Sequence, residues 1–91
     1  GKKILMITLY TKDHCPFCSQ AKALLEQNDI PYEEVNIIKD PTAKQFVIGE
    51  GHRTVPQLYV KGKLLVEGGY QGLSKLPLET VKQRIEELNA N

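Results

Sequence analysis

The chain has no tryptophan, one methionine and only two cysteines in its 91 residues. The cysteines, Cys15 and Cys18, sit three positions apart. That spacing argues against a secreted scaffold stapled by disulfides, which spreads its cysteines along the chain. Bridging the pair closes a tiny loop and gains little from chain entropy, so it reads as chemical rather than structural. An excess of charge of one sign is also missing. Twelve basic and eleven acidic residues leave a formal net charge of +1, which removes the bulk electrostatic case for nucleic acid or a membrane surface as partner. No apolar run is long enough to span a bilayer. The longest, Ile4 to Tyr10, has no small-residue cleavage site after it. A cytoplasmic location is the expectation. The chain opens on Gly1 rather than Met, which points to processing or a remnant, and Gly1 to Lys3 carry no weight.

What is present is ordinary globular material, 41% hydrophobic and 25% charged. The length suits one domain over residues 1–91, with a modest core. Ile4 to Tyr10 suits a strand buried on both faces. Pro16 can open a helix, because its missing N–H is not needed at the first position. Phe17, Ala21, Leu24 and Leu25 follow at helical spacing until Asn28-Asp29. A short strand is expected from Tyr32 to Ile38, which completes a βαβ unit with parallel strands. Asp40-Pro41 pairs a cap with a first helical residue, and Gly49 and Gly51 end that second helix. Gln57 to Val60 and Leu64 to Val66 form a hairpin around Lys61-Gly62-Lys63, and Gly68-Gly69 breaks its second strand. Leu78, Val81, Ile85 and Leu88 stripe a final helix. The order β-α-β-α-β-β-α predicts an α/β fold: a four-stranded mixed sheet with three helices on its two faces.

In that context Cys15-Pro16-Phe17-Cys18 reads as a redox motif. Thiols at i and i+3 on a helix start face each other across one turn. Cys15 lies beside unpaired N–H groups and the positive end of the helix dipole, which favour thiolate, the nucleophilic form. Cys18, one turn in, is placed to resolve a mixed disulfide on Cys15. Two bland readings compete. One is half of a zinc site, but a full site needs about four ligands, there is no second cysteine pair, and His14 and His52 match no finger spacing. Two buried cysteines could also act as small hydrophobes, but a helix-initiating proline in a polar loop argues against it.

Nearby residues carry two readings each. Lys12 is a solvated loop lysine or a cation beside the thiolate and any substrate carboxylate. His14 points to solvent or assists when protonated. Val55-Pro56 is a plain strand start with a trans bond, or a cis bond that frees the Val55 backbone to pair with an extended substrate. Gly68-Gly69 ends a strand or lets a ligand backbone come close. Tyr70 is a packing aromatic or a site wall.

Tyr10-Thr11-Lys12, Cys15-Pro16-Phe17-Cys18, Thr54-Val55-Pro56 and Gly68-Gly69 stand in the order and spacing of the glutaredoxins. The chain resembles a dithiol glutaredoxin over nearly its whole length. Thioredoxin-type sites carry Trp-Cys-Gly-Pro-Cys, and monothiol cluster-carrying members usually carry Cys-Gly-Phe-Ser. The resemblance implies a thioredoxin-like fold, a cis bond before Pro56, and a glutathione groove. By the family pattern Lys12 and Arg53 would meet the glycyl carboxylate. Phe17 would line the groove, Thr54 and Val55 would supply backbone pairing, and Pro56, Gly69, Tyr70 and Gln71 would complete it. One departure stands out. Tyr70-Gln71-Gly72 occupies the place where dithiol members usually present an aspartate to the γ-glutamyl end, and Gln71 can accept a hydrogen bond but carries no charge. Losing one charge-assisted contact costs about 1–2 kcal/mol.

The implied activity is glutathione-dependent reduction of protein disulfides and glutathione mixed disulfides by a monomer. No metal and no tightly bound cofactor are expected, and ribonucleotide reductase is one client by family analogy. The alternatives are a redoxin reduced by thioredoxin reductase and, from another class, a metal or iron–sulfur binding module.

Overall fold

A computed structural model describes residues 7–90. Strand β1 (Ile7–Thr11) leads to helix α1 (Pro16–Gln27), and strand β2 (Tyr32–Asn36) to helix α2 (Pro41–Gly49). Strands β3 (Gln57–Val60) and β4 (Lys63–Leu64) precede helices α3 (Gly69–Lys75) and α4 (Leu78–Ala90). The sheet order is β2-β1-β3-β4. β1 runs parallel to β2 and antiparallel to β3, and β4 folds back antiparallel on β3. The mixed sheet is the one expected. The Ile4 to Met6 part of the first predicted strand lies outside the described residues.

Residue alternation on the strands divides the interior in two. Ile7 and Leu9 of β1 join Leu58 and Val60 of β3 under Ala21, Leu25, Leu73, Val81 and Ile85 from α1, α3 and α4. On the opposite face Tyr10 and Tyr59 meet Phe46 of α2 in edge-on and tilted ring contacts, with centroids 5.1–5.7 Å apart. Every residue of β3 is buried, because helices cover both of its faces.

The local signals behave as their chemistry dictates. Asp40 Oδ1 accepts the Ala43 N–H at 3.2 Å and caps α2, with Pro41 in its first turn. Lys61 and Gly62 both have positive φ, the pattern of a two-residue hairpin turn matched to strand twist. Asn36 Oδ1 accepts the Ile38 N–H at 2.9 Å. This side-chain turn ends β2 two residues before the predicted Ile38.

The helix count needs correction: among the described residues there are four helices, not three. Residues 69–75 contain two glycines and read as a broken strand and loop, since glycine costs about 1 kcal/mol in a helix interior. Tertiary packing overrides that propensity. Gly68, at φ +86, starts α3, and Leu73 locks it into the core. A side chain at Gly72 would overlap the Glu67 carbonyl oxygen, so glycine is what lets the helix close on the preceding turn. The hairpin's second strand is also shorter and earlier than Leu64 to Val66, although Leu65 N–H still donates to Leu58 O at 2.9 Å.

Candidate active site

Cys15 is the N-cap of α1, with extended backbone angles, and Pro16 takes the first helical position. Its Sγ accepts the Cys18 N–H at 3.2 Å. The two cysteines form a disulfide, with Cα atoms 5.2 Å apart, within the range such a bridge needs. Their environments differ. Cys18 is 2% exposed, on the inner side of the helix, while Cys15 is half-buried and opens outward. Cys15 Sγ also lies 3.7 Å from the Val55 carbonyl oxygen, so the helix start faces the segment leading into β3. The Val55–Pro56 bond is cis.

A cavity of about 400 Å³ opens over this pair of segments. Lys12, Cys15 and Phe17 line it from the β1–α1 side; Arg53, Thr54, Val55 and Pro56 close a second wall. Gly69, Tyr70 and Gln71, at the start of α3, close the third. Phe17 stacks on Tyr70, with centroids 6.1 Å apart and planes at 25°. The structure therefore brings the residues read from the sequence for the thiol site and the glutathione groove around one opening, with Cys18 behind it; His52 does not line it. His14 and Gly68 complete the lining. Of the two sequence readings of Gly68-Gly69, neither describes it fully. The close approach at Gly69 is made by the chain's own backbone, since a side chain there would overlap the Pro56 carbonyl oxygen. The glycines thus seat α3 against the Pro56 wall.

The electrostatics of the cavity are one-sided. Lys12, Arg53 and His14 line it, and among the described residues no Asp or Glu does. Asp13 and Glu34 instead line a neighbouring pocket that shares Lys12, His14 and Cys15 with the cavity. Glu34 accepts from Thr11 Oγ1 at 2.8 Å and pairs with Lys22 Nζ at 3.2 Å. The Thr11 bond first, with the Lys22 contacts, outweighs partial burial and holds the Glu34 carboxyl below its usual range.

Beneath Arg53 lies a polar cluster that sequence reasoning did not find. The buried Tyr59 hydroxyl donates to Glu50 Oε1 at 3.2 Å and lies 2.6 Å from His52 Nε2. Burial, then the bond and charge of Glu50, push the Tyr59 phenol up to about 12. Glu50 and His52 belong to the segment that leads into Arg53-Thr54-Val55, so the cluster anchors the base of that wall. A single tyrosine on a strand gives no sign of the two partners it will find seven and nine positions back. Gln57 is likewise buried; its amide donates to Thr54 O at 3.0 Å and holds the other end of the wall.

The chain is similar to several known proteins. It is 38% identical over 69 residues to the hybrid peroxiredoxin hyPrx5 of Haemophilus influenzae, covering 76% of this chain and 28% of that protein. It is 38% identical over 63 residues to Glutaredoxin-C4 of Arabidopsis thaliana, covering 65% of this chain and 47% of that one. The chain thus spans less than half the length of these two relatives. The buckwheat glutaredoxin–glutathione complex shares its fold, with a TM-score of 0.71 at 24% identity over 92% of this chain and 79% of that one. The glutaredoxin family model matches residues 7–65, a span that holds both cysteines, the Arg53-to-Pro56 wall and the strands that carry it, and the chain belongs to the glutaredoxin family.

Proposed function

We propose that the chain is a dithiol thiol–disulfide oxidoreductase that uses glutathione as its reductant. The observation that carries this reading is the asymmetry of the pair. Cys15 Sγ receives a helix-start N–H and opens into a cavity, whereas Cys18 is buried behind it. A donated N–H and the helix dipole stabilise a thiolate at Cys15.

The chemistry follows thiol–disulfide exchange. The Cys15 thiolate attacks one sulfur of a substrate disulfide, forms a mixed disulfide and releases the other sulfur as a thiolate, which takes a proton from water. Cys18 then loses its proton and attacks Cys15 Sγ. The second substrate thiol leaves, and the Cys15–Cys18 disulfide holds the two electrons' worth of oxidation. One glutathione thiolate opens that disulfide at Cys15, and a second releases glutathione disulfide. Lys12 and Arg53 supply cations for glutathione carboxylates, the Val55 backbone faces the attacking sulfur, and the Phe17–Tyr70 stack forms an apolar side wall.

The missing carboxylate favours a second reading, a redoxin recharged by thioredoxin reductase. With Gln71 at the cavity edge, the γ-glutamyl ammonium has no anionic partner among the lining residues. One assay separates the two. Oxidised protein is offered glutathione with glutathione reductase, then thioredoxin reductase, and the consumption of reduced nicotinamide nucleotide is followed with hydroxyethyl disulfide as substrate. Turnover with glutathione supports the first reading; turnover only with thioredoxin reductase replaces it with the second.

A further inference from the structure

Among the described residues three large hydrophobic side chains are left exposed: Phe17 at 48%, Ile38 at 56% and Ile48 at 60%. Phe17 lines the catalytic cavity. Ile38 and Ile48 do not, yet they are not scattered. Together with Ile37 and Val47 they form the floor of a second groove of about 380 Å³, between the β2–α2 connection and α2. This groove shares Lys12, Arg53, Thr54 and Val55 with the catalytic cavity, so the two run into each other across the wall that faces Cys15. Lys44 adds a third cation, and among the described residues no carboxylate lines the groove.

A glutathione moiety held at Cys15 by Lys12, Arg53 and Val55 leaves the isoleucine end of this groove uncovered. Exposed aliphatic side chains carry a hydration cost that only burial relieves. Ile38 lies beyond the end of its strand and Ile48 on the outer side of its helix, so neither supports the core.

We infer that this groove receives the polypeptide of a protein client, an extended segment flanking the client's reactive cysteine that presents aliphatic side chains to Ile38 and Ile48 and carboxylates to Lys44 and Arg53. The inference rests on the disulfide-reducing activity proposed above, but not on glutathione as reductant. Continuity with the Cys15 wall supplies the path, since a strand advances about 3.3 Å per residue and a client bonded to Cys15 must leave the cavity across one of its rims. The three cations and the absence of lining carboxylates supply the sign of the charge. The groove selects among protein disulfides and is indifferent to small ones.

The test uses pre-reduced protein in single turnover, so no recycling reductant enters. Cysteine peptides are joined by a disulfide to 5-thio-2-nitrobenzoate, and release of the coloured thiol is followed by stopped flow. The cysteine is flanked on both sides by Leu-Glu, Ser-Glu or Leu-Lys repeats. The Leu-Glu peptide is expected to react about tenfold faster than either of the others at sub-saturating concentration, a preference of about 1.4 kcal/mol. In the Ile38→Ser, Ile48→Ser double variant the advantage of Leu-Glu over Ser-Glu falls to about twofold or less. In Lys44→Glu the advantage over Leu-Lys shrinks similarly. Hydroxyethyl disulfide, which fills no groove, is reduced at the parental rate by all three proteins, which also reports that the variants are folded. An undiminished peptide preference in both variants assigns it to the catalytic cavity and overturns the groove. Equal rates for the three peptides in the parent chain, with hydroxyethyl disulfide still reduced, overturn the groove alone. Failure of the parent on hydroxyethyl disulfide as well overturns the activity, and the groove with it.

Discussion

The Cys18 N–H donates to Cys15 Sγ over 3.2 Å, so the residue assigned to resolve the mixed disulfide also supports the attacking sulfur through its backbone. Side chain and backbone of Cys18 therefore separate on mutation. Cys18→Ser removes the resolving thiol and keeps the N–H. This variant is expected to lose reduction of protein disulfides while still removing glutathione from glutathionylated substrates, with free glutathione resolving the intermediate. Cys15→Ser is expected to lose both activities, because serine is a far weaker nucleophile near neutral pH. Assays of both substrates with both variants check the assignment; equal residual activities would refute it.

In the reduced protein, Cys15 is expected to ionise below the free-cysteine value of about 8.5, and Cys18 above Cys15. The cause is the same N–H at a helix start, set against the burial of Cys18. Thiolate absorbance against pH, recorded for each single-cysteine variant, measures the two values separately. A Cys15 titrating at or above the free value contradicts the electrostatic account.

Gln71→Asp places a carboxylate at the edge of a cavity that none of the described residues lines with one. The position is exposed, so screening limits the gain to about 0.5–1.5 kcal/mol, roughly 2- to 10-fold in glutathione-dependent efficiency. Reduction of hydroxyethyl disulfide in single turnover should hardly change. Steady-state kinetics with a varied glutathionylated peptide decide it, and an unchanged value means that Lys12, Arg53 and the Val55 backbone already suffice.

Gly72→Ala drives a methyl group into the Glu67 carbonyl oxygen and should destabilise the fold by roughly 2 kcal/mol or more. The urea midpoint measures it. Gly69→Ala meets the Pro56 carbonyl and starts from φ +59, so it should disturb the cavity wall as well as stability. A normal catalytic rate in a destabilised Gly69 variant would show that the wall adjusts independently of α3.

Tyr59 and Tyr32 both ionise near 12 in the folded chain, raised first by burial and then by their carboxylate partners Glu50 and Glu26. An unfolded tyrosine ionises near 10, so above that pH the unfolded state gains charge that the folded state resists. The stability is fully present below about pH 10 and is lost as pH rises toward 12. Tyr59→Phe should flatten part of that decline, by roughly 1–2 kcal/mol across the window. Denaturant midpoints at pH 8 to 12, compared with the parent, test the sign.

Legibility in the sequence followed the range of the forces involved. The cysteine pair, its proline and the Asp40-Pro41 cap are local, and each appears where its chemistry requires. Val55-Pro56 left a trans and a cis reading open, and the roles of Arg53 and Thr54 in the cavity wall came from family spacing rather than from pattern. The α3 helix was not legible, because its glycines argue against helix and only its packing on Glu67 and Pro56 explains them. The Tyr59–His52–Glu50 cluster and the Ile38–Ile48 groove depend on how separate segments meet, which no periodicity encodes.

Most helices are capped by an oxygen that never changes; α1 is capped by a sulfur that takes part in bond making. As a thiolate that cap is a full negative charge facing the Cys18 amide. As a disulfide sulfur, to client or to Cys18, it is a weak neutral acceptor. The first turn of α1 is therefore expected to tighten when Cys15 is a thiolate and to slacken when it is a disulfide. Amide exchange at Cys18 should be slower in the reduced form than in the oxidised one, which makes the backbone itself an internal gauge of redox state.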